Sequence, residues 1–287
     1  MTMTRRNFIK TTSCAVGTAS LLNRLSPSLR AAALANGMPL GFQTWTLRDQ
    51  LGQDLPGTLR MMADMGYEAA EFCSPRGYTN TPFEKFAGMP AKELRQVIAD
   101  TGLSCQSSHF NMMELREHLD DRITWARNMG LTQMITSSFW LPKGASVDDY
   151  RRSCDELNVI AAKIKAAGLQ SGFHNHNMEF ERQNGVLIYD AMLERLDPSL
   201  VKMQFQVAAI TSGYKAADFF RKYPGRFISS HLSDWSAEKH EMPIGQGIVD
   251  WKDFFDAAKV AGVRNIFVEM DPGTFKESAR YLRALLS

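Results

Sequence analysis

A chain of 287 residues with 44% hydrophobic and 22% charged composition can bury a large core, which excludes a disordered polymer. The formal net charge of +2 hides an asymmetry: residues 1–35 carry Arg5, Arg6, Lys10, Arg24 and Arg30 and no acid, leaving 28 basic against 31 acidic residues in the rest. A mildly acidic body lacks the electrostatic footprint of a nucleic-acid-binding protein.

The first element is a candidate export signal. "TRRNFIK" places Arg5 and Arg6 ahead of Phe8, Ile9 and Lys10, and a modest apolar run, "CAVGTASLL", leads into "AAALAN". The stretch resembles a twin-arginine signal, S/T-R-R-x-F-L-K, with Ile9 in place of Leu. Cleavage is expected after Ala33 or Ala35, and Cys14 does not sit in a lipoprotein box. The run is too short and too rich in Ser and Thr for a stable membrane anchor. The resemblance implies folding before export, the twin-arginine machinery as a partner, and a periplasmic or otherwise exported destination. The domain expectation is a signal over 1–35 and one folded body over 36–287. Cys73, Cys105 and Cys154 show no metal-finger spacing and read as free thiols.

From residue 38 onward apolar runs and helical patterns alternate. Strands are expected near 38–44, 68–73, 103–108, 132–138, 169–174, 200–206, 226–232 and 264–270. Helical patterns between them end at Gly66, Gly102, Gly130, Gly168 and Gly262, a repeated C-cap signal. Eight strand–helix units in about 250 residues match the arithmetic of a (β/α)8 TIM barrel. A doubly wound open sheet is the alternative, but no Gly-rich phosphate fingerprint follows the first strand. The segment "SDWSAEKHEMPIGQGIVDW" after strand seven reads as the longest loop.

In such a barrel the chemistry lies where strands end. Those positions hold Gln43 and Trp45, Glu71, His109, Trp140, His174 and His176, Gln206, His231 and Glu269. Four of the six histidines fall in this set, and buried imidazoles and carboxylates need partners. A single histidine there is often a hydrogen-bonded structural residue; four together favour a functional site.

The motifs, in order, resemble the sugar phosphate isomerase/epimerase superfamily of xylose-isomerase-like barrels. "GFQTWTLRDQL", "GYEAAEF", "SSHFNMMEL", "GFHNHNMEF", "SSHLSDW", "PIGQGIVDW" and "FVEMD" carry the likeness, the fourth pointing to an exported branch. The resemblance implies a divalent metal at the barrel mouth, carried over to His174, Gln206, His231 and Glu269, with Glu179 as a further candidate. It implies proton abstraction next to a carbonyl through an enediolate, with His174 and Glu269 as the acid–base pair. Gln43, Trp45, Glu71, His109, Trp140 and His176 are the expected substrate contacts, the tryptophans offering apolar faces to a sugar ring.

Two departures refine this expectation. Gln206 stands where relatives carry Asp, and His174 where many carry Glu, so the site has lost negative charge and should favour Zn, Co or Mn over Mg. Ser233 stands where relatives often have Lys, which argues for an unphosphorylated sugar. The expected activity is a metal-dependent isomerase, epimerase or related keto-sugar lyase or hydratase. The alternative is a degenerate barrel that binds a sugar or a partner protein without turnover. A phosphodiesterase from the same superfamily would need more metal ligands and a basic face.

Overall fold

The computed structural model describes residues 38–287; the export-signal motif, Cys14 and the cleavage positions lie outside them. Eight parallel strands close into a barrel: β1 (Leu40–Gln43), β2 (Ala69–Cys73), β3 (Ser107–Phe110), β4 (Gln133–Thr136), β5 (Gln170–His174), β6 (Val201–Gln206), β7 (Phe227–Leu232) and β8 (Asn265–Val268). Each pairs with its sequence neighbours and β1 closes on β8, so the (β/α)8 expectation holds. The helices are α1 (Arg48–Gln53), α2 (Leu55–Asp64), α3 (Ala91–Ala99), α4 (Met112–Met129), α5 (Val147–Ala166), α6 (Ile188–Arg195), α7 (Ala216–Lys222), α8 (Trp251–Ala261) and α9 (Phe275–Leu286).

Local chemistry explains the helix boundaries. Asn111 and Glu114 form a capping box at the start of α4, and Ser146 and Asp149 another at α5. The five predicted C-cap glycines all take positive φ, from 75° at Gly130 to 98° at Gly66. Strand alternation then sorts the side chains. Phe42, Phe72, Phe173, Phe205 and Phe227 are fully buried, and Phe205 and Phe227 pack on Phe219 and Phe220 of α7. Inside the barrel a Cβ on Gly41 would lie 2.5 Å from Phe267 Cδ1, and one on Gly172 2.5 Å from Ile135 Cδ1. Those two glycines make room for the large side chains that fill the barrel interior.

The third strand differs from the expected 103–108. Ser104 pairs with Ala69, but Ser108 pairs with Phe72, so one extra residue is inserted between the two contacts and regular pairing begins at Ser107. His109 therefore lies within the strand, not beyond it. The long segment after β7 is also not a plain loop: Asp234–Trp235 and Glu241–Met242 form an antiparallel ribbon. Asp234 ties it down, accepting from the backbone N–H groups of Trp235, Gly245, Gly247 and Val249 and from Trp251 Nε1. Cys73, Cys105 and Cys154 are free thiols. Among the described residues no helix is long and apolar enough to cross a membrane.

Candidate active site at the barrel mouth

The inward-facing positions of β2, β3, β5, β6 and β7 bring one polar cluster together. Register sets Gln43 beside Glu71, and Gln206 beside His231. The rings of His109, His174 and His231 converge, with centroids 5.0 Å apart for His109–His174, 5.0 Å for His109–His231 and 4.4 Å for His174–His231. Each offers a ring nitrogen, and these nitrogens lie within 4.8 Å of one another.

Glu71 is the buried anchor beneath them. Its Oε2 accepts from Gln43 Nε2 at 2.8 Å and meets His231 Nε2 at 2.5 Å; its Oε1 accepts from Ser107 Oγ at 2.5 Å and Gln204 Nε2 at 2.9 Å. Burial works against ionisation there, but the charges of and hydrogen bonds from His109 and His231 overcome it and hold the carboxyl well below its ordinary range. His231 is clasped on both sides, with Nδ1 2.9 Å from Glu269 Oε2. Burial alone would lower its pKa, yet Glu269 and Glu71 together raise it to about 9. His174 moves the other way: burial, then the neighbouring His231, His176 and His109, hold it well below the usual imidazole value. Burial takes His176 down to about 4. Both therefore stand as neutral rings at pH 7.

The tautomer of His109 follows from its partners. Its Nε2 lies 2.7 Å from Gln204 Oε1 and 3.2 Å from Glu71 Oε2, two acceptors, so a proton sits on Nε2. His174 Nδ1 is buried with no hydrogen-bond partner. Three converging imidazoles, one with an unpartnered nitrogen, suit a divalent ion. The residues present fit such an ion, with His109, His174 and His231 as the groups that would hold it; ligation by His231 would require it to give up a proton and one of its two carboxylate contacts.

The other expected residues take definite places. Gln206 donates through Nε2 to Glu269 Oε2 at 2.6 Å and accepts through Oε1 from Ala208 N at 3.3 Å. Its amide oxygen thus faces the backbone, and its amide nitrogen orients Glu269. The Glu269 carboxylate, opposed by burial but stabilised by His231, stays below its ordinary pKa and is ionised. Glu179 is 1% exposed and its Oε2 accepts from His176 N at 2.7 Å, so it closes its own turn apart from the three rings. Trp45 stacks on Phe83 beside Tyr78, with the Arg48 guanidinium 4.6 Å from its ring centroid. Trp140 is 64% exposed, sits 6.5 Å from the His176 ring and holds φ of 53°, a left-handed conformation that costs energy in a bulky residue.

Three members of the cluster escaped the reading of strand ends: Ser107, Gln204 and Ser229, the last accepting through Oγ from Gln204 Nε2 at 2.9 Å. Each lies two residues before a mouth residue, His109, Gln206 and His231. The two-residue period of a strand is the signal that points to them.

This closed parallel barrel with its polar mouth is the frame on which known relatives can be compared. The chain belongs to the xylose isomerase-like TIM barrel family, whose pattern matches residues 59–285. Among solved structures it is similar to a sugar phosphate isomerase/epimerase from Parabacteroides distasonis ATCC 8503, at 23% identity and a TM-score of 0.71 over 86% of this chain and 96% of that one. It is similar to an L-ribulose 3-epimerase at 16% identity and a TM-score of 0.64, covering 87% and 94% of the two chains. It also resembles the IOLI protein with a bound zinc atom, at 13% identity and a TM-score of 0.64 over 87% and 95%. Likeness at these identities speaks for the fold. No curated protein matches the chain.

Proposed function

We propose that the protein is a divalent-metal-dependent isomerase or epimerase of an unphosphorylated sugar or keto-sugar, with elimination as a related outcome. The observation that carries the reading is the convergence of His109, His174 and His231 beside an ionised Glu269 at the mouth. Family membership and the sugar-epimerase neighbours support it, and the zinc atom named for the IOLI protein supports the choice of a borderline ion. Ser233 supports a neutral substrate: it is buried and its Oγ accepts from Trp235 Nε1 at 3.1 Å, where a lysine would have faced a phosphate.

A divalent ion, when bound, polarises the carbonyl and an adjacent hydroxyl of the substrate. Glu269 then acts as base on the proton next to the carbonyl. Gln206 and His231 both engage its Oε2, which aims Oε1 at substrate. Protonated Glu269 then returns the proton to the neighbouring carbon, while His176, a neutral ring 4.8 Å from that of His174, donates its ring N–H to a substrate oxygen as a hydrogen bond. The proton-carrying role first expected of both His174 and Glu269 thus falls to Glu269, because His174 is 2% exposed inside the three-ring cluster. Trp45 and Trp140 supply apolar faces on either side of the sugar.

The test is proton exchange. Protein loaded with Zn, Co or Mn is incubated with 2-keto and 3-keto sugars in deuterated water, and NMR reads deuterium at the carbon next to the carbonyl. Exchange in wild type, lost in Glu269→Gln and slowed in His176→Asn, supports the mechanism. No exchange with any metal would turn the reading toward a sugar-binding barrel without turnover. We also propose export by the twin-arginine route; Arg5→Lys with Arg6→Lys should leave the protein in the cytoplasmic fraction, and a periplasmic double variant would refute it.

A further inference from the structure

At the end of the barrel opposite the mouth, the strands begin around a second cavity of about 540 Å³. Gln133 opens β4, Lys202 is the second residue of β6, Arg264 immediately precedes β8, and Lys165 comes from the last turn of α5. Three cations thus line the cavity, and among the described residues no Asp or Glu does. This is unusual for a body that is mildly acidic overall.

Among the described residues Lys202 and Arg264 make no salt bridge. Lys202 Nζ donates to Gly225 O at 2.8 Å and Lys165 Nζ to Ser199 O at 3.1 Å, both uncharged carbonyls. Burial, then the charges of Arg226 and Arg264, lower the pKa of Lys202, so like charges press on it. Asp197 is the acid within range of Lys165 and Arg226, and it does not line the cavity. Residues 1–37 contain no Asp or Glu and bring no carboxylate of their own. Solvated lysines at the stability face of a barrel are common, but they usually spread apart or pair. Here they share one concavity of a size suited to a small ligand, and an anion would relieve their repulsion.

A second feature narrows the ligand. Gln133 is 5% exposed, lines the same cavity, and has a carboxamide oxygen with no hydrogen-bond partner. Such an oxygen calls for a donor, which a bare anion lacks and a hydroxyl supplies. Ile135 against Gly172 and Phe267 against Gly41 fill the barrel interior, so this is not the far end of the mouth.

We propose that this floor cavity binds a small hydroxylated anion, its charged group on Lys202 and Arg264 and a hydroxyl on Gln133, as a site separate from the mouth. The shared chemistry covers sugar acids and sugar phosphates.

Thermal unfolding of the full folded protein at constant ionic strength tests it, with glucuronate, glucose 6-phosphate, sulfate and neutral glucose as probes. At ten times Kd, glucuronate or glucose 6-phosphate should raise Tm by about 3 °C or more over chloride, with sulfate, which has no O–H to donate, weaker and glucose silent. Arg264→Gln, an exposed position, should weaken binding about tenfold, and Lys202→Met with Arg264→Gln should abolish it. The mouth variant His174→Ala should keep the response, which separates this site from the catalytic one. No anion response above chloride, or an undiminished response in Arg264→Gln, would overturn the proposal. Equal affinity for sulfate and the hydroxylated anions would overturn the role of Gln133.

Discussion

Glu179 offers a sharp test of how the turn after β5 is held. Its carboxyl is 1% exposed, and burial raises its pKa to about 7 from 4.5, with Glu181 adding to the effect and the His176 N–H only partly opposing it. Among the described residues no basic side chain offsets the charge. Because the folded pKa lies above the unfolded one, the stabilising contribution of the protonated form is complete below pH 4.5 and is lost as pH rises towards 7. At about 1.4 kcal/mol per tenfold change in proton affinity, the ionised carboxylate costs about 3 kcal/mol at pH 8 and about 1 kcal/mol at pH 5. Glu179→Gln keeps an acceptor for His176 N and removes the charge. It should therefore be more stable than wild type by about 3 kcal/mol at pH 8 and by about 1 kcal/mol at pH 5. Urea denaturation of both proteins at pH 5, 6, 7 and 8 measures the difference. Two stability curves that stay parallel across that range would refute the reasoning, since they would mean that the carboxyl ionises freely in the fold.

Gln206→Asp removes the amide donor to Glu269 and sets a second carboxylate beside it. The metal-free variant should melt lower than wild type while binding Mn at least about tenfold tighter by calorimetry; equal Mn affinities would show that residue 206 does not face the ion. Asp234→Ala strips five N–H donors of their common acceptor and should lower stability by about 3 kcal/mol. Limited proteolysis should then cut within 236–248; an uncut, equally stable variant would mean that the ribbon holds itself. Gly41→Ala forces a methyl to within 2.5 Å of Phe267 Cδ1 and 2.8 Å of the backbone oxygen of Ile266, and should cost about 3 kcal/mol in urea melts. An unchanged midpoint would show that the barrel interior yields there.

Much of this protein was legible along the chain because its signals are local. Helix C-caps need a residue that tolerates positive φ, so Gly66, Gly102, Gly130, Gly168 and Gly262 mark where helices stop whatever surrounds them. These five stops and eight buried strand runs lead to the barrel, and strand ends lead to Glu71, His109, His174, His231 and Glu269. What a side chain meets across the barrel is a different matter, because partners come from strands 28 to 160 residues apart. Only the closed structure turned the oxygen of Gln206 to the backbone and its nitrogen to Glu269, set His109 beside His174 and His231, and placed Glu179 under the His176 N–H. The extra residue before Ser107 also had to be seen, since one residue in a strand decides which face every later side chain takes. Sequence thus determined where the strands end and which chemical groups stand at those ends. Tertiary closure decided which of them share a proton, because hydrogen-bond partners are chosen by distances in space that no local pattern encodes.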